Sequence, residues 1–115
     1  MTAFDVMQCN VPETTDDMII HTVYFKLKHD KGSEAEKIFI QKALDLGAIS
    51  TVNNLRYVRE VSPKNDFDHG LIMQFDNQDD YDTYNNHPDH QNFVENVWKK
   101  EVVDFMEIDY VAAEF

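Results

Sequence analysis

A chain of 115 residues with 43% hydrophobic content has the length of one domain and enough apolar side chains to hold a core. Its formal charge of −12 argues against nucleic acid and against an anionic membrane surface, both of which call for clustered Lys and Arg, and no run approaches the ~20 apolar residues of a membrane span. The one cysteine, Cys9, rules out an internal disulfide, and no CxxC or CxxH spacing offers a zinc site.

Residues 1–17 show little periodicity, and the polar Pro-Glu-Thr-Thr-Asp-Asp (12–17) is turn-like, so they are expected to form a loose extension ahead of a domain over 18–115. They also lack the basic start and apolar run of a signal peptide, which with the lone cysteine predicts an intracellular, cytoplasmic protein. Residues 18–28 alternate with period two and read as a strand, with His21, Val23, Phe25 and Leu27 on one side and Ile20, Thr22, Tyr24 and Lys26 on the other. Ser33 followed by Glu36 forms a capping box that opens a helix to about Leu46, with Ile38, Phe39, Ala43 and Leu46 expected inside and Gly47 at a left-handed C-cap.

A second strand is expected over 54–61 and a third over 68–75, joined by a short polar turn as a hairpin. The third places His69, Leu71, Met73 and Phe75 on one side and Gly70, Ile72 and Gln74 on the other. Asn77 then caps an acidic helix over 78–86, and His87-Pro88 interrupts it. The next helix carries His90, Phe93, Val94, Val97 and Trp98 at i, i+3, i+4, i+7, i+8 spacing. A last strand covers 104–112.

The order β-α-β-β-α-β predicts an α+β fold of the ferredoxin-like, split β-α-β type, with one antiparallel sheet carrying helices on one face. The face bearing His21, Phe25, Leu71 and Phe75 is the more apolar and belongs under the helices. The opposite face, with Ile20, Tyr24, Val58, Ile72 and Val111, is too apolar to leave bare and is expected to meet another surface.

Several residues carry chemistry. His90 lies on the apolar face of its helix, where a neutral imidazole can serve as a general base or simply bond a backbone carbonyl within the core. Tyr84, six residues earlier across the helix break, can converge with it and donate from its phenol, or only pack. His21 and His69 share a sheet face at separated positions, as pocket walls or as packed polar residues. His87 and His90 invite a metal, but His87 is needed as a cap and no third ligand stands out, so no metal is expected. No glycine-rich phosphate loop or nucleophile elbow is present, and no cofactor is expected.

The segments Ile-Ile-His-Thr-Val-Tyr-Phe-Lys-Leu-Lys (19–28), Asp-His-Gly-Leu-Ile-Met-Gln-Phe (68–75), Tyr-Asn-Asn-His-Pro-Asp-His-Gln-Asn-Phe (84–93) and Asp-Tyr (109–110) give the chain a resemblance to the stress-responsive dimeric α/β barrel domain proteins, over residues 18–112. The Tyr-x-x-His-Pro-x-His run carries most of it. The resemblance implies a homodimer whose sheets pair through their open faces into a dimeric α/β barrel. Most members of this family have no assigned reaction. One plant branch resembles polyketide cyclases that act on aromatic polyketides without cofactor or metal, using a Tyr and a His at the positions of Tyr84 and His90 and lining the pocket with histidines at those of His21 and His69. The reading that follows is a small dimeric protein with a helix–sheet pocket for an apolar or aromatic ligand, lined by His21, His69, Phe25, Leu71 and Met73. A cofactor-free proton-transfer enzyme built on His90 and Tyr84, a cofactor-free monooxygenase and a purely structural domain stand as alternatives.

Overall fold

The computed structural model describes residues 17–113. The expected extension over 1–17 therefore lies outside the described residues, apart from Asp17. Four strands form one antiparallel sheet: β1 (Ile19–Leu27), β2 (Asn53–Arg59), β3 (His69–Phe75) and β4 (Val102–Val111), in the order β2-β3-β1-β4. The helices α1 (Glu34–Leu44) and α2 (Gln78–Asn86) precede a longer helical run that opens as α3 (Pro88–Phe93) and closes as α4 (Lys99–Glu101). The element order and the one-sided placement of the helices are those of the predicted ferredoxin-like fold.

The period-two pattern decides which side of each strand is buried. In β1, His21, Val23, Phe25 and Leu27 all point beneath the helices, and in β3 His69, Leu71, Met73 and Phe75 do the same. Phe25, Phe39, Phe75 and Met73 are the largest side chains sealed from solvent. Burial of a phenylalanine or methionine contributes about 1.5–3 kcal/mol, so this layer dominates the stability of the fold.

Local signals set the helix ends. Ser33 Oγ accepts the Glu36 amide at 3.2 Å, while Glu36 Oε1 receives the Gly32 N–H at 2.9 Å, so the reciprocal bond of the capping box reaches one residue further back than Ser33. Two details of α1 differ from expectation. Ile38 is exposed, and Phe39 and Ala43 form the buried stripe. Gly47 does not adopt a left-handed cap; it sits in a 3₁₀ turn (Asp45–Ala48) that tightens the helix end and tucks Leu46 into the core, and the positive φ among the described glycines belongs to Gly32.

Asn77 Oδ1 accepts the Asp80 amide at 2.8 Å to start α2, and His87 Nδ1 accepts the Asp89 amide at 3.0 Å to start α3, with Pro88 in the first turn. Between α3 and α4 the backbone opens into a π-helical turn, Val94–Trp98. Such turns insert a residue into the helical repeat and often accompany functional sites.

The register of β4 corrects one face assignment. Asp109 pairs with His21, Glu107 with Val23 and Phe105 with Phe25, and Val111 pairs with Ile19. Opposed residues of an antiparallel pair share a face, so Val111 belongs to the helical side. Met106, Ile108 and Tyr110, opposite Tyr24, Thr22 and Ile20, supply the fourth strand of the open face.

Candidate functional site

The helical side of β1, β3 and β4 does not meet α2 and the α3–α4 run everywhere. A cavity of about 360 Å³ remains between them, within the size range of small-molecule sites. Its floor is His21, Val23, Leu71 and Met73, and its outer wall is Phe105 and Glu107 of β4. The helices contribute Tyr84, Asn85, His90, Phe93, Val94, Trp98 and Lys99, and Leu46 closes one end. Val94 and Trp98 bracket the π-helical turn, and both line the cavity.

Tyr84 and His90 converge across the helix break. Their ring centroids lie 4.2 Å apart with planes inclined by 38°, and His21 is 6.4 Å from Tyr84. His90 Nδ1 lies 3.3 Å from the Asn85 carbonyl oxygen. A carbonyl only accepts, so Nδ1 carries the proton and Nε2 carries the lone pair of the neutral ring. Burial pushes the His90 pKa below the ordinary imidazole value, against the opposing pull of the Asn85 carbonyl. Burial also holds the Tyr84 phenol well above its ordinary value, and the Glu107 carboxylate adds to that shift. A neutral base and a neutral hydrogen-bond donor therefore face the same space.

His21 is held by a separate network. Its Nδ1 is 2.6 Å from Asp109 Oδ1 and 2.9 Å from the Tyr81 hydroxyl, which donates to Asp109 Oδ2 at 2.9 Å. A carboxylate oxygen accepts, so a His21 proton sits on Nδ1. Tyr81 lies flat against Phe75, with centroids 4.8 Å apart at 10°, so the network is braced by the core. Burial and the bond to Asp109 both keep the Tyr81 phenol protonated.

Five of the seven site residues expected from sequence line this cavity: His90, Tyr84, His21, Leu71 and Met73. Phe25 and His69 do not. Phe25 is sealed among Trp98, Phe39 and His69, at centroid distances of 5.0, 5.6 and 5.2 Å. His69 stacks on Phe25, with Nδ1 2.7 Å from the Tyr57 hydroxyl and Nε2 3.4 Å from Glu36 Oε2, tying β3 to β2 and to the start of α1. Asp109, Tyr81, Glu107 and the aromatic wall of Phe93, Trp98 and Phe105 were not expected at the site. Among the described residues, no three His, Cys, Asp or Glu side chains converge as a metal-binding group.

With this geometry in view, the sequence profile of the Stress responsive A/B Barrel Domain family matches residues 19–112. The chain belongs to that family. A Mesorhizobium loti family protein with a ferredoxin-like fold is 45% identical, with a TM-score of 0.83 over 85% of this chain and 99% of that one. A dimeric ferredoxin-like protein of unknown function from Thermobifida fusca is 17% identical, with a TM-score of 0.72 over 87% of this chain and 95% of that one. The hydroxynitrile lyase of Passiflora edulis is 14% identical, with a TM-score of 0.77 over 88% of this chain and 98% of that one. The last two likenesses concern the fold alone. No curated protein matches the chain.

Proposed function

We propose that this stress-responsive barrel protein works as a homodimer whose cavity binds a small apolar or aromatic ligand, and that His90 and Tyr84 serve there as a cofactor-free proton-transfer pair. The observation that carries this reading is the 4.2 Å approach of Tyr84 and His90 in the cavity wall, with His90 Nδ1 engaged by Asn85. His90 Nε2 removes a proton from a carbon beside a carbonyl; the electron pair of the broken C–H bond forms a carbon–carbon double bond, and the π pair of the carbonyl moves onto its oxygen. The Tyr84 hydroxyl donates a hydrogen bond to that oxygen as its charge develops. That an enzyme named as a lyase shares the fold supports a catalytic use of this architecture, by analogy. The dimeric Thermobifida protein supports the assembly.

Among the described residues no helix is long and apolar enough to cross a membrane. With Cys9 the lone cysteine and Lys and Arg far outnumbered by Asp and Glu, we place the protein in the cytoplasm, with neither nucleic acid nor membrane as partner.

The test follows α-proton exchange of acetophenone in D₂O by NMR. Wild type is expected to accelerate exchange, and His90→Ala to lower that acceleration by about 10²-fold or more. Tyr84→Phe, which keeps the ring, should slow exchange with nearly unchanged melting. Because the imidazole is the base, activity should persist below pH ~6.5 and fall only as pH drops through the lowered His90 pKa. A histidine packed for stability behaves otherwise: His90→Ala would then cost about 2–4 kcal/mol and leave exchange unaltered.

A further inference from the structure

Strand β4 presents two carboxylates on the helical side of the sheet, and they are differently engaged. Asp109 is committed to His21 and Tyr81. Glu107, one step along the same face and opposite Val23, lines the cavity, and its side chain makes no hydrogen bond or ion pair with another described residue. The cation in the lining, Lys99, is paired with Glu95 on its own helix. The exposed Glu107 carboxylate thus stands beside the rings of Trp98, Phe93 and Phe105, in a lining whose other polar members are His21, Tyr84, Asn85, His90 and the paired Lys99. Its field reaches the opposite wall, where it favours the protonated forms of Tyr84 and His90. A carboxylate at an apolar wall loses part of its hydration when a ligand enters, and that loss is offset only by a donor on the ligand.

We propose that Glu107 sets the charge preference of the cavity, admitting small aromatic ligands that carry a neutral or cationic hydrogen-bond donor and rejecting aromatic carboxylates. The inference rests on the cavity being a ligand site, and it deepens that reading by naming the ligand class. An ammonium or hydroxyl group on the ligand meets Glu107 while the ring packs against Trp98. A carboxylate in the same place faces Glu107 at close range and is repelled by it.

Trp98 is the only tryptophan of the sequence and lines the cavity, so its fluorescence reports occupancy directly. Near neutral pH, wild type is titrated with benzylamine, benzyl alcohol and benzoate, which share a ring and differ in charge. Wild type should prefer benzylamine to benzoate by about tenfold or more, and Glu107→Gln, which keeps shape and removes charge, should bring that ratio to about one. Asp66→Asn removes the same charge from the exposed β2–β3 connection and should leave the ratio as in wild type. Benzyl alcohol separates the two readings. If it binds and Glu107→Gln leaves the charge preference unaltered, or if Asp66→Asn abolishes it equally, the assignment to Glu107 is wrong and the ligand site stands. If none of the three probes perturbs Trp98, both readings fall.

Discussion

His21, His69 and His90 each have a ring nitrogen committed to a different kind of partner: a carboxylate, a phenol and a backbone carbonyl. That difference separates a positioned ring from a structural one. His90 lines the cavity with Nδ1 held by Asn85, whereas His69 is engaged at both nitrogens, by Tyr57 and Glu36, under a stacked Phe25. Burial lowers the His69 pKa, and Glu36 and Asp68 oppose that shift more weakly, while Lys31 and Arg59 assist it. The unfolded chain, with an ordinary imidazole near pH 6.5, then takes up a proton before the folded one does. Stability is therefore full above that value and declines as pH falls from about 6.5 toward the lowered folded value, below which this contribution is flat. Melting temperature measured between about pH 7.5 and 5 should fall more steeply in wild type than in His69→Gln. Equal slopes would show that His69 is not the group responsible. The parity of β1 and β3 was enough to place His21 and His69 on one face. It could not show that Trp98 would pack on Phe25 and divide that face in two, because the contact joins elements far apart in the chain.

Elements whose ends are fixed by local chemistry were legible, and elements shaped by tertiary packing were not. Ser33, Asn77 and His87-Pro88 each mark a helix start through bonds spanning two or three residues, and each appears where the spacing predicts. The π-helical turn at Val94–Trp98 has no such local signature; the stripe of His90, Phe93, Val94, Val97 and Trp98 reads equally well as a plain α-helix. The partnership of His21 with Asp109 was hidden for a related reason, since it depends on the β1–β4 register between residues 88 apart in sequence. Gly70 shows the same dependence within the sheet. A Cβ there would come within 2.7 Å of Val58 Cγ2 and 3.1 Å of Tyr24 Cδ1. Val58 is β-branched and stiff, so it yields poorly. Gly70→Ala should cost about 1–3 kcal/mol by forced displacement of these neighbours, read as a lower melting temperature. In a Val58→Ala background most of that loss should disappear. A Gly70→Ala chain as stable as wild type would mean that β2 moves aside freely.

At the scale of the whole molecule, one face of the sheet carries helices and the other carries none. The uncovered face presents Val58, Met106 and Tyr110, all substantially exposed, beside the half-buried Ile20, Tyr24, Ile72 and Ile108. A second cavity, of about 420 Å³, opens on this face among Tyr24, Val58, Phe67, Met106 and Ile108. A contiguous apolar surface of this kind favours association, and a two-fold arrangement covers it with a second copy of itself. Sedimentation at micromolar concentration should accordingly give a species of twice the 13.5 kDa chain mass. Met106→Lys sets a charge in the middle of β4 on this face and should shift the equilibrium toward monomer while leaving the helical side of the sheet untouched. A chain beginning at Met18 should dimerise like the full one, because β1 to β4 all lie within residues 19–111. Loss of dimer on that truncation would assign part of the contact to residues 1–17. A wild-type chain that sediments only at 13.5 kDa would sink the pairing of open faces altogether, and the apolar row on β1, β3 and β4 would need a different partner.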